Sequence, residues 1–189
     1  MLKLFHHLRA RPFFSCCIVL VALAEVSLWW RACAWYPELP ARIPMHFNAS
    51  GTPDGWANKG LAWFLLPLLS LGMLALLGGI AVWMGSLVRN APALVNVPRK
   101  QTFLRLSAAG RMEVVAPTRV FLAWILVLVL SLFLYILEGS GRVAVKQEEA
   151  LPSWPVFVFL GLVFSTLPFY MMATVRTVDR VARDEGVQG

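Results

Sequence analysis

Charge is scarce in this chain: of 189 residues only 14% are Asp, Glu, Lys or Arg, ten acidic against 17 basic. A soluble globular domain carries about 25% charged residues, so that class is excluded. Histidine and cysteine are scarcer still, with three of each. Cys16 and Cys17 fall near one end of the first apolar run and Cys33 near the other, about 25 Å apart at helical rise, whereas a bridge needs Cα atoms within about 7 Å. A disulfide scaffold is excluded, no zinc or redox spacing is present, and the cysteines read as apolar packing residues, Cys33 being open to an intermolecular bond. Also missing are a phosphate-cradling glycine loop, a nucleophile elbow, a His-Glu-x-x-His helix and a pair of intramembrane aspartates. The sequence therefore argues against an enzyme, and it implies no cofactor and no metal.

What fills the chain instead is hydrocarbon, 59% of all residues. Apolar runs over 13–30, broken by Glu25 and carried to about 35 as a span, and over 61–88, 120–137 and 154–175 each reach the roughly 18–25 residues that cross a bilayer core. The expected fold is an all-α integral membrane protein with four transmembrane helices and a Pro-rich extracytoplasmic loop, 36–60, between helices one and two. A basic segment, 1–12, precedes the membrane domain, 13–175, and a fraying mixed-charge tail, 176–189, follows it. The second run would extend about 42 Å as a helix, so it must tilt, protrude or bend at Pro67 or Gly78-Gly79. The first run also admits a signal-peptide reading, with Ala32–Ala34 as a small-residue cleavage site, but its length and the aromatic belt "LWWRACAWYP" favour an uncleaved helix.

Twelve of the 17 basic residues lie in the amino-terminal segment (Lys3, Arg9, Arg11), the central loop (Arg89, Arg99, Lys100, Arg105, Arg111, Arg119) and the tail (Arg176, Arg180, Arg183). By the positive-inside rule both termini and the central loop are cytoplasmic. The net charge of +7 then reads as topology and affinity for the lipid bilayer, with no nucleic-acid partner.

The loop "YPELPARIPMHFNASGTPDGWANKG" carries Pro37, Pro40, Pro44 and Pro53, which fix φ and remove donors, so an extended path between turns is expected. Along "RIPMHF", Ile43, Met45 and Phe47 would share one side and Pro44, His46 and Asn48 the other. The segment would form a rigid lid, its ends seated at headgroup level by Trp35, Tyr36, Trp56 and Trp63. Leu39, Pro40, Ile43, Pro44, His46, Phe47, Asn48, Gly51 and Asp54 resemble the signature of the bacterial membrane family called domain of unknown function 1648. The signature reads approximately Leu-Pro-x-x-Ile-Pro-x-His-Phe/Trp-Asn-x-x-Gly-x-x-Asp. "NVPRK", with Asn96, Pro98 and Lys100, is similar to an element that follows the second span in such proteins. The resemblance spans roughly residues 13–105 and implies a bacterial cytoplasmic membrane. Among the relatives are SdpI-like proteins, which confer immunity to a secreted toxin and sequester a cytoplasmic repressor, and which typically have further spans. It thus implies a small SdpI-like binding, immunity or signalling component, with an extracytoplasmic peptide or protein as ligand and a cytoplasmic regulator as partner. Asn48–Ser50 formally matches a glycosylation acceptor, a reading discounted for a bacterial loop.

His46, beside Asn48 and near Asp54, is the sharpest candidate for recognising a ligand; the plainer reading is a ring that pins the loop through backbone carbonyls. Glu25, inside a span, should face the bundle interior, be protonated or have a partner, and Arg31 is rotated too far round the helix to be that partner. An alternative function follows from it: a small transporter or transporter subunit with Glu25 as ion-coupling residue. A purely structural accessory role is a third. Small residues Gly72, Gly78, Gly79 and Gly85, and the Gly161–Ser165 pair, permit close helix packing, and Pro168 would kink the fourth helix. Residues 99–115 mix Phe103, Leu104, Leu106 and Met112 with Arg105, Arg111 and Glu113, as a short helix on the inner leaflet would.

Overall fold

The computed structural model of the chain describes residues 2–187; Met1 and the last two residues of the tail lie outside them. The elements in order are α1 (Leu2–Trp35), β1 (Arg42–Phe47), β2 (Pro53–Asn58), α2 (Leu65–Asn90), α3 (Lys100–Arg105), α4 (Ala108–Val114), α5 (Ala116–Ala144) and α6 (Trp154–Asp184). Among the described residues four helical stretches are long and apolar enough to cross a membrane: Pro12–Glu38, Leu61–Asn90, Ala108–Ala144 and Trp154–Asp184. A helix satisfies its backbone polar groups internally, which hydrocarbon demands. The side chains agree, since Val26, Val82, Trp83, Phe157 and Phe169 stand exposed where a water-soluble fold would bury them. Their natural neighbour is lipid.

The all-α expectation needs correction at 36–60. A single 3-10 turn, Tyr36–Glu38, leads into β1 and β2, which form a two-stranded antiparallel hairpin. Prolines survive in it because every strand of a two-stranded sheet is an edge. Ile43 faces Ala57, Pro44 faces Trp56 and His46 faces Gly55, with register shifts on both sides of His46. Such bulges interrupt the two-residue period. Ile43 and Pro44, still in regular register, are both buried, so both faces of the strand are covered there, while at the bulge Met45 and His46 are both exposed and Phe47 is half-buried, which replaces the expected alternation of Ile43, Met45 and Phe47.

The tail and the central loop also differ from expectation. Helix α6 continues past 175 to Asp184, through Pro168, and residues 99–115 make two short helices. Pro67 falls in the first turn of α2, where its missing N–H has no intrahelical partner to lose.

The described contacts divide the chain into two compact units, residues 1–17, 75–125 and 163–189 in one, and 18–74 and 126–162 in the other. In the first, Phe103, Leu106, Val114 and Val115 are buried against Val88, Val178 and Val181. The apolar residues expected to lie on the leaflet are thus enclosed by protein, with Leu104 and Met112 packed against them. Ser107 caps α4 by accepting from the Gly110 N–H at 3.0 Å, and gives its own N–H and O–H to Glu185 at 2.7 and 2.6 Å. Arg99, in the left-handed region at φ 53°, starts α3 and pairs with Asp179, while Arg180 pairs with Glu113 at 2.7 Å. These cross-links help carry α6 beyond its apolar stretch.

Candidate functional site

In the second unit the base of the hairpin is set by its ends. Trp63 is buried and donates its indole N–H to the Ala32 carbonyl in the last turn of α1 at 2.8 Å. Lys59 donates its backbone N–H to Ala41 O and its ammonium to Leu39 O, and the ammonium lies 4.7 Å from the centre of the Tyr36 ring. Trp56, by contrast, is exposed.

The hairpin tip is shaped by Asn48. Its side-chain oxygen accepts from the N–H groups of Ser50 and Thr52 and from the Ser50 hydroxyl, the local bonding that makes Asn a turn former. Gly51 follows at φ +82°, a region that favours glycine, and it is pressed against the Leu151 backbone so closely that a Cβ would overlap the Leu151 carbonyl. Leu151 N–H donates to Gly51 O at 2.8 Å and Ser153 Oγ to Ala49 O at 2.7 Å. The α5–α6 connection thereby clamps the tip.

The nine signature residues separate into two groups. Leu39, Ile43, Pro44 and Gly51 are buried, and Asn48, although exposed, spends its side chain on the turn. Pro40, His46 and Asp54 are exposed and Phe47 half-buried. His46 Nδ1 lies 2.5 Å from Asp54 Oδ1, so the ring is held by a carboxylate across the hairpin instead of by backbone carbonyls. Gly55 makes room, since a Cβ there would come within 2.8 Å of His46 Cβ. The exposed residues of this strand pair are Arg42, Met45, His46, Asp54, Trp56 and Asn58, of which Met45, His46, Asp54 and Trp56 offer apolar, hydrogen-bonding and charge contacts toward the bulged part of the hairpin. Among the described residues no three His, Cys, Asp or Glu side chains converge as metal ligands would.

Two further polar groups sit within spans of this unit. Glu25 Oε1 accepts from the Trp29 indole N–H and the Ser70 hydroxyl, each at 2.9 Å, while Oε2 is buried with no hydrogen-bond partner among the described residues. Arg31 turns instead to Glu138, donating from Nε and Nη2 at 2.8 and 2.7 Å, and Trp35 Nε1 adds a third bond at 3.0 Å. Sequence reasoning missed Glu138 because it falls one residue beyond the apolar run ending at Leu137. The available signal was that Arg31 and Glu138 both close a span at the same end of the expected topology.

The "NVPRK" element lies in the first unit. Val95 and Val97 are buried there, whereas Asn96 and Lys100 are exposed and Pro98 half-buried.

Four apolar spanning helices with a clamped hairpin after the first define a multi-pass membrane protein. Within it, residues 26–71 match the sequence model of a family described as Domain of unknown function (DUF1648), so the end of α1, the hairpin and the start of α2 form a domain of that family. No curated protein and no solved structure matches the chain.

Proposed function

We propose that this is a non-enzymatic binding component of a bacterial cytoplasmic membrane, with both termini cytoplasmic, that recognises an extracytoplasmic peptide or protein through the hairpin around His46. The observation that carries the reading is the division of the signature: its buried half fixes the hairpin and its exposed half presents the His46–Asp54 pair beside Trp56 on a clamped support. A pre-ordered recognition surface loses little freedom on binding, which raises affinity. The SdpI-like resemblance supports an immunity or signalling role, with Asn96 and Lys100 as the exposed contacts for a cytoplasmic regulator.

A photoreactive residue in place of Met45, activated in cells, is expected to capture a discrete peptide or protein, with His46→Ala and Asp54→Ala each reducing capture at least tenfold. Capture of lipid and this protein alone would overturn the reading. Glu25 supports a second one, transport with this carboxyl as coupling group, because Oε2 is a buried acceptor without a partner among the described residues. Ion or proton flux in vesicles that disappears in Glu25→Gln would select transport; absence of flux would remove it.

A further inference from the structure

The first unit contains a cavity of about 1030 Å³ between α1, α4, α5 and α6, at the upper end of the size of small-molecule sites. Phe13, Phe121, Trp124 and Phe169 line one part of it, with Phe13 and Trp124 in ring contact and Phe121 stacked on Tyr170 at 4.7 Å between centroids. Arg176, Arg180 and Arg183 line another. The change of character follows one helical stripe, because Phe169, Ala173, Arg176, Arg180 and Arg183 succeed one another at intervals of three or four along α6.

The charges are not all spoken for. Of the two carboxylates in the wall, Glu113 holds Arg180 and Asp179 holds Arg99. Arg176 and Arg183 have no ion pair among the described residues. An apolar groove ending in two guanidinium groups complements an acyl chain that ends in a phosphate, and guanidinium binds phosphate through paired N–H donors. Basic pockets between membrane helices select anionic headgroups for the same reason.

We infer that this cavity is a binding site for an anionic phospholipid, with one acyl chain along the aromatic wall and the headgroup phosphate between Arg176 and Arg183. The test uses the full-length protein, delipidated in neutral detergent and offered equimolar phosphatidylglycerol and phosphatidylcholine of identical chains, with retained lipid read by native mass spectrometry. Wild type should retain phosphatidylglycerol at least tenfold over phosphatidylcholine, and R176Q/R183Q should bring the ratio close to one. A173F, which places a ring inside the cavity and leaves the arginines intact, should lose the retained lipid while keeping the wild-type melting temperature. Equal retention of both lipids by wild type, or an unchanged ratio in R176Q/R183Q, would overturn the site. So would displacement of phosphatidylglycerol by millimolar inorganic phosphate, which would identify a free-anion site.

Discussion

Gly51 shows how much a single residue can decide here. Its positive φ and its contact with the Leu151 carbonyl leave no room for a side chain, so Gly51→Ala should destabilise the protein by about 2 kcal/mol or more. A fall in the melting temperature of the purified protein checks this, and a melting temperature equal to wild type would refute the clamp. Asn48 lies at the same tip but acts through hydrogen bonds that water can partly replace, so Asn48→Ala should cost less, about 1 kcal/mol by the same measurement. Much of this was legible in the sequence, where Asn, Gly and the prolines announced turns. What the sequence could not announce was the bulge at Met45, which depends on cross-strand register, or the pairing of His46 with Asp54 rather than with the backbone. Glu138 was hidden for another reason: a hydropathy run stops at the first charge, whether or not the helix does.

At the level of elements, the Arg31–Glu138 pair ties α1 to α5 within the second unit. Removing one member leaves the other charge partly buried and unpaired, so Glu138→Gln should cost about 3 kcal/mol, whereas replacing both with leucine should recover most of that loss. Melting temperatures of the single and double variants decide it, and additive losses would show that the two residues act independently. In the first unit, α4 and the end of α6 are joined through Ser107 and Glu185. The Ser107 hydroxyl and N–H hold the Glu185 carboxyl below its ordinary value, with Arg111 adding to the effect. A depressed carboxyl contributes stability above its unfolded value of about 4.5, and that contribution fades as pH falls through the lower folded value. Hydrogen exchange at Ser107 and Gly110 should therefore, after correction for intrinsic rates, become faster below pH 4.5 in wild type, and be fast and pH-independent in Glu185→Gln. The spans were readable from composition because hydrocarbon accepts little else. The length of α6 was not, since its polar end is held by Asp179 and Arg180 pairing with residues about 80 and 67 positions away in sequence.

For the whole chain, the expectation from the basic residues is that the hairpin and the central loop face opposite sides of the membrane. With the native cysteines replaced, a cysteine at Met45 should react with an impermeant maleimide in intact cells, and one at Leu94 only after permeabilisation; equal labelling of both would contradict the topology. The four spans and the segment carrying the family's signature were visible in the sequence, whereas the cavity with its arginine end was not, because its walls come from helices far apart along the chain. The clamp on the hairpin has a consequence for biosynthesis. Ala49 and Ser153 are 104 residues apart, and a ribosome adding roughly 5–20 residues per second needs on the order of 5–20 s to cover that distance. During that interval the newly made strands have no fixed tip, and the hairpin reaches its final form only once the segment before the fourth span has been delivered to the same side.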